Sequence, residues 1–447
     1  VIIVDSIKLL DQYREDITSS DIILIPIYSD VNKHYTHNRI SLLYTYVINS
    51  NTTYIIPLNH TDTTNIPIDI NEVYNLPTKI YVLNKKRFKH HLVNSDKCLD
   101  IGLIHYYKNN KNISEESLIT NTHQFYYRKY PTILNVNDIV PLTKHIESCE
   151  FIVDMVNLLL FDFDETESFK YYNNVYIDSL YNIEKEGIYV TDNFEGATKY
   201  KPTNNLVYSE YNIYTVTGRP SNSYNGVNFA GLNKESGIRS HFVSRHPKGF
   251  LVSFDYDAYH LQLIAELIGY KFPEGVGIHE YLGKQYFNTD TLTPEQYSNS
   301  KTISFRQLYG GVQQEYKHIP FFEKTTTFIN NVWQDFQFDG KTHTFIFNRP
   351  LLWNFYDDDL TKHRLFNYLL QSLETERNMI IISDVCKYLQ DKQTKLVLYT
   401  YDSFLLDFSI NDGKDVLIDI KKILQKGGFP TSIDIGSNYN DMKHVKF

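Results

Sequence analysis

LVSFDYDAYHLQLIAELI, residues 251–268, changes character halfway along. LVSFDYD reads as a strand, and Leu261, Ile264, Ala265 and Ile268 then recur at helical spacing. The pattern predicts a strand that ends in a carboxylate, Asp255, at the start of a helix. Further along, residues 361–391 contain neither Gly nor Pro and carry a long apolar stripe, which predicts a long helix. KLVLYTYDSFLLDFS, residues 395–409, then reads as two strands meeting at Tyr401-Asp402-Ser403, a hairpin with a carboxylate at its tip.

Before this core, TVTGRPSNSYNGVNFAGLNKESG at 215–237 is rich in Gly, Ser and Asn and is expected to be irregular. FIVDMVNLLLF at 151–161 is helical in spacing, and YNIEKEGIYVTD at 181–192 reads as a helix running through a turn into a strand. Residues 1 to about 150 alternate apolar runs, DIILIPIY, ISLLYTYVI and TTYIIPLNH, with Asn-rich breaks, as strands of a mixed sheet do. The expected class is therefore α/β and α+β, with several domains.

Bulk properties narrow the field. The 447 residues suffice for two or three domains, and no run of about 18 apolar residues is available to span a bilayer, so a soluble protein without a membrane partner is expected. Cys98, Cys149 and Cys386 are isolated and odd in number, against a disulfide framework or a cysteine zinc site. With an N-terminus unlike a secretory signal, this predicts the cytoplasm, the host's if the source is viral. A net charge of −9 argues against nucleic acid only if the basic groups are dispersed rather than gathered in a cleft.

Asp255 and Asp402, from separate strands, are the residue type that two magnesium ions need for phosphoryl transfer. Lys301, Phe305 and Tyr309 in KTISFRQLYGG are spaced by four, so on a helix they share one side and offer a cation for phosphates and two rings for a base or sugar. Alone, each aspartate reads more readily as a solvated turn carboxylate and the helix as merely amphipathic. Order along the chain changes this.

TGR at 217–219, SFDYD at 253–257, GIHEYLG at 277–283, K-xxx-F-xxx-YG at 301–310, N-xxx-Q at 367–371 and YDS at 401–403 resemble, in sequence and interval, the motifs of family A DNA polymerases, the family of bacterial DNA polymerase I. The resemblance runs over about residues 175–447 and includes the last strand segment, GGFPTSIDIGSNYNDMK. It implies a right-hand polymerase domain at 155–447, with palm at about 175–275 and 365–447, fingers at about 276–364 and a minimal thumb. Asp255, Asp402 and the backbone carbonyl of Tyr256 would bind two Mg2+, or Mn2+. Lys301 and His279 would meet the triphosphate, Phe305 and Tyr309 would close on sugar and base, and Arg219, Arg239, Asn367 and Gln371 would contact primer-template DNA. In the family, Phe at the place of Phe305 goes with rejection of dideoxynucleotides.

Four departures stand out. His260 replaces the usual Glu five residues after the first Asp, where it would crowd the sugar 2′ position. Tyr297 replaces a phosphate-binding Arg, for which Arg306 or Lys317 would be partial substitutes, and the hairpin keeps only Asp402 of the usual His-Asp-Glu. Only 24 residues separate GIYVTD from TGR, so the thumb is expected to be reduced or built from residues 155–180, which implies a processivity factor or distributive synthesis.

Residues 1–154 resemble, more faintly, the RNase H-like 3′-5′ exonuclease domain of the family. Pro26 and Ser29 stand where metal-binding carboxylates are expected, Asp30 is out of step, LNKKRFKHH offers none, and Asp154 remains. Two-metal hydrolysis cannot run on one carboxylate, so this domain is expected to be inactive. The resemblance thus implies a small phage-type replicative DNA polymerase that uses dNTPs and lacks proofreading. A phage-type RNA polymerase, whose relatives often carry Asp-Ser in the hairpin, and a catalytically dead nucleic-acid binding module are the alternatives.

Overall fold

The computed structural model describes residues 1–30, 33–109, 137–195, 202–222, 227–351 and 360–446. They form two compact units, Val1–Tyr214 with Ser221–Arg245, and Thr215–Pro220 with His246–Phe447. Part of the irregular stretch, residues 223–226, lies outside the described residues.

The first unit is built on a mixed six-stranded sheet. Its strands are β1 (Ile2–Ile3), β2 (Ile22–Tyr28), β3 (Ile40–Val47), β4 (Thr52–Pro57), β5 (Ile80–Val82) and β6 (Cys98–Asp100), in the order β1-β4-β3-β2-β5-β6. The predicted apolar runs are β2, β3 and β4, joined antiparallel. Pro26 is tolerated inside β2 because β5 pairs only with Ile22, Ile23 and Leu24, so the sheet makes no demand for a donor on that side at residue 26. Helix α1 (Ile7–Ile17) covers the sheet with Leu10, Tyr13 and Ile17, one face at helical spacing.

Packing carries this unit past residue 154. Asn173, in the helical stretch considered above for a thumb, donates to the Cys98 carbonyl and accepts from the Asp100 N–H, both at 2.9 Å, which ties that stretch to β6. A short helix α2 (Lys85–Phe88) buries all four of its residues. Buried charge demands partners. Lys86 pairs with Glu184, and the Arg87 Nε donates to Glu210 at 2.6 Å.

The second unit has a wholly antiparallel five-stranded sheet. Its central strand is β7 (Phe250–Tyr256), which leads through the turn into α3 (Tyr259–Leu267), as the sequence predicted. Helices α4 (Ile278–Tyr286), α5 (Pro294–Gly310), α6 (Pro320–Asp339) and α7 (Lys362–Tyr388) follow. Then come β8 (Lys395–Thr400), β9 (Ser403–Phe408), α8 (Asp415–Leu424), β10 (Thr431–Gly436) and β11 (Lys443–Val445). The strand order is β8-β9-β7-β10-β11. The expected long helix and carboxylate-tipped hairpin are thus α7 and β8-β9.

Thr215–Pro220 belongs to this second unit because its backbone is held there: Ser372 Oγ donates to the Thr217 carbonyl at 2.7 Å and Arg349 Nη2 to that of Val216 at 3.2 Å. Helix α5 starts at a full capping box, in which Thr293 and Gln296 satisfy each other's backbone, with Pro294 at the first helical position. That start sets the helix in which Lys301, Phe305 and Tyr309 lie. Gly283 of GIHEYLG lets α4 and α5 approach: a Cβ there would meet Leu292 Cδ1 at 2.8 Å and Ser300 Cβ at 2.9 Å.

Candidate active site in the second unit

Asp255 stands near the end of β7, in register with Ser403 of β9 on one side and Ser432 of β10 on the other. Asp402 immediately precedes Ser403, and the Tyr256 N–H donates to the Asp402 carbonyl at 3.1 Å. Antiparallel pairing therefore brings both carboxylates to the same end of adjacent strands. Ser253 Oγ donates to Asp255 Oδ2 at 2.9 Å and lies 3.0 Å from Ser403 Oγ. The Tyr256 side chain is not part of this edge: it is buried, with its hydroxyl donating to the Leu424 carbonyl at 2.6 Å.

Both turns beside these aspartates use left-handed backbone without glycine, at Ala258 (φ +49°) and Tyr401 (φ +60°). A non-glycine residue there costs about 1–2 kcal/mol, so the surroundings must hold it. At Tyr401 they do: its carbonyl accepts from Asn378 Nδ2 at 2.9 Å, and the Arg219 guanidinium lies 3.7 Å from its ring centroid.

The electrostatics suit a cation. Asp402 is exposed as a residue, yet its carboxyl is surrounded closely enough that burial, followed by the charges of Glu374 and Asp255, pushes it up to about 6. Asp257, two residues beyond Asp255, is also raised, chiefly by burial. Crowded carboxylates of this kind are what a hard divalent ion relieves, and the donor set of carboxylate oxygens fits Mg2+. Another potential ligand group among the described residues, His34, His90 and Glu184, lies in the first unit. There Glu184 already accepts from Lys86 and from the Tyr211 N–H, so a second cation would compete with an ion pair.

Helix α5 presents its three residues together. The Phe305 and Tyr309 rings are parallel, 6.2 Å apart, and both are exposed. Lys301 Nζ lies 5.0 Å from the Tyr297 ring centroid. The position that lacks the expected arginine thus offers a cation–π platform to the lysine that remains. Arg306 and Lys317, the partial substitutes, are exposed. His279 lies beside Phe305, with centroids 6.1 Å apart, and burial together with Lys301 lowers it to about 4. At neutral pH it brings hydrogen-bonding capacity rather than charge.

His260 and Arg219 meet on a residue that sequence reasoning missed, Glu374 of α7, and Tyr309 joins them through His260. Tyr309 Oη is 2.6 Å from His260 Nδ1, and His260 Nε2 is 2.8 Å from Glu374 Oε2. Arg219 Nη2 donates to Glu374 Oε1 at 3.2 Å. Asn367 Nδ2 donates to the Tyr309 carbonyl at 3.3 Å, and Gln371 is half-buried one turn further along α7. Burial alone would raise Glu374, but His260 and Arg219 outweigh it and hold its pKa below the usual value. Although Tyr309 is exposed as a residue, its hydroxyl is enclosed against His260, and this local burial, followed by the charge of Glu374, pushes it up to about 12, so it remains a phenol. Arg239 is not in this group. It belongs to the first unit, where Nε and Nη2 donate to the Leu232 carbonyl at 2.9 and 2.5 Å.

No family model matches the chain's sequence, and no curated protein matches it. Its fold is similar to a solved structure of the POL domain of Pol1 from M. smegmatis in complex with DNA primer-template and dNTP, with a TM-score of 0.74 at 13% identity. The similarity covers 99% of this chain and 100% of that one.

Proposed function

We propose that the chain is a template-directed DNA polymerase that adds dNTPs to a primer 3′-OH. The observation that carries this reading is the pairing of β7 with β9, which brings Asp255 and Asp402 to one sheet end and leaves the Asp402 carboxyl crowded by Glu374 and Asp255. The fold similarity to a polymerase domain supports it. Asp255, Asp402 and the Tyr256 carbonyl would hold Mg2+, with Mn2+ as a substitute. Two ions bound there supply activation of the attacking oxygen and neutralisation of the leaving phosphates. The primer 3′-OH loses its proton to solvent, its oxygen bonds to the α-phosphorus, the bond to the bridging oxygen breaks, and pyrophosphate leaves.

The chain's own groups do the rest. Lys301, steadied by Tyr297, neutralises phosphate, and His279 adds a neutral donor. Phe305 and Tyr309 stack on the base and sugar, and His260 stands where a ribose 2′-OH would go. Arg219, Asn367 and Gln371 read minor-groove acceptors common to all base pairs, while Arg239 contributes a backbone contact. Functionally, 155–447 is the polymerase domain and 1–154 an exonuclease-like domain without proofreading activity. β2 supports the latter, since its interior positions are apolar and buried, Ser29 is engaged by Arg39 at 3.2 Å, and Asp154 is exposed on its helix. A small phage replicase in the host cytoplasm, served by a processivity factor, fits this design.

Ser403 beside Asp402 keeps a phage-type RNA polymerase as the second reading. Primer extension by the purified chain with Mg2+, comparing dNTPs with rNTPs, tests both. Extension with dNTPs is expected, preference for rNTPs would transfer the assignment, and no extension with either would leave a binding module.

A further inference from the structure

We propose that Glu374 is a positioning residue for sugar selection: from the buried side of α7 it fixes the His260 imidazole, and through it the Tyr309 hydroxyl, as the wall that excludes a ribose 2′-OH. The inference rests on the polymerase reading, but its argument is geometric. An imidazole on the first turn of α3 can turn about its side-chain bonds and can carry its proton on either nitrogen. As a wall it is only as good as what holds it.

Both nitrogens are held. Glu374 is buried, about 1% exposed, and its carboxylate is restricted to accepting hydrogen bonds. His260 Nε2, 2.8 Å away, must therefore carry the proton. Nδ1 lies 2.6 Å from the Tyr309 hydroxyl, which can accept from this nitrogen or donate to it, so the second nitrogen is held as well. A continuous hydrogen-bonded chain thus runs from Tyr309 through His260 to Glu374. Arg219, which donates to the other carboxylate oxygen at 3.2 Å, keeps the acceptor in place.

The arrangement links three distant parts of the sequence: the helix after the first aspartate, the nucleotide-facing helix and α7. Removing the carboxylate leaves His260 free to rotate, and that movement opens the space beside the sugar. A ribonucleotide gains from that opening, because it alone has a group to place there. A deoxynucleotide does not.

The experiment measures incorporation efficiency for rNTP and dNTP on one primed template, for wild type, Glu374→Ala, His260→Ala and the double variant. Glu374→Ala is expected to raise the rNTP/dNTP ratio about tenfold, the scale of one charge-assisted hydrogen bond. In the His260→Ala background it is expected to add almost nothing, since the residue through which it acts is gone. An unchanged ratio in Glu374→Ala, or an equal shift with and without His260, overturns the proposal. Glu374→Gln, which keeps the buried shape but offers one oxygen to two donors, guards against a folding failure. It should move the ratio in the same direction by less, and no movement there counts equally against the proposal. If wild type extends the primer with neither nucleotide, it is the polymerase reading that fails.

Discussion

In the first unit Glu210 meets the Arg87 guanidinium at 2.6 Å and the buried Asp100 accepts from two backbone N–H groups and the Tyr214 hydroxyl. In the second, Asp402 has no ion pair among the described residues, and the charges that raise its pKa are those of Glu374 and Asp255. Chemically these are the same side chains. Arg87 neutralises Glu210, and Asp100 is fully hydrogen-bonded within the protein although burial still raises its pKa, whereas Asp402 combines burial with a repulsion from other carboxylates that a bound cation relieves. A carboxylate's role is thus better judged by what offsets its charge than by its burial.

The sharpest test of that contrast is to remove an aspartate from the second unit. Asp255→Ala or Asp402→Ala is expected to lower primer extension on the order of a thousandfold or more, because metal stabilisation dominates such transfers. Binding of primer-template, followed by fluorescence anisotropy, should be nearly unaffected. Retention of more than a few per cent of the extension rate would remove that residue from the site.

The converse holds in the first unit. Glu210→Ala leaves Arg87, which cannot shed its charge, buried without its carboxylate, and should destabilise by about 3 kcal/mol or more. Chemical denaturation should show this equally with and without Mg2+. A cost that appeared only in the presence of the ion would mean that Glu210 belongs to a metal site, and the comparison between the units would collapse.

Much of this was legible in the sequence. The switch at Asp255, the hairpin at Asp402 and the shared face of Lys301, Phe305 and Tyr309 rest on local periodicity and turn chemistry, which a single stretch of chain contains. Glu374 was not legible. Helix α7 is buried on most sides, so Ser372, Glu374, Thr375, Glu376 and Asn378 are interior residues in a run that reads as ordinary helix. Their partners come from far away in sequence, Arg219 for Glu374 and the Ile346 and Phe347 N–H groups for Glu376. Likewise Tyr297 read as a missing cation, because a ring beneath Lys301 is visible only once the helix has formed. Nor did the apolar and basic letters of LNKKRFKHH disclose that the basic side chains of α2 are buried, with Lys86 and Arg87 ion-paired and Lys85 hydrogen-bonded to Asn174.

The smallest expected effect is the one that separates the units most cleanly. Asp402→Asn removes a charge that the metal-free fold disfavours, so in chelator near pH 7 the variant should be more stable than wild type. The reasoning follows from proton binding. Burial and neighbouring carboxylates raise the native carboxyl from 3.8 to about 6, so between those values the native state binds more protons than the unfolded chain. Native stability then falls as pH rises through that window, and the whole penalty is present above it. Since Asp402 is exposed and water screens it, the gain from the substitution should be about 1 kcal/mol, well short of the full shift. Below about pH 4 both states are protonated, and the gain should disappear. Added Mg2+ should stabilise wild type and not the variant, because a ligand that binds only the native state raises stability by mass action. Urea midpoints at two pH values, with chelator and with Mg2+, decide the matter. A variant less stable than wild type near pH 7 without metal would show that Asp402, like Glu210, is already neutralised by the protein.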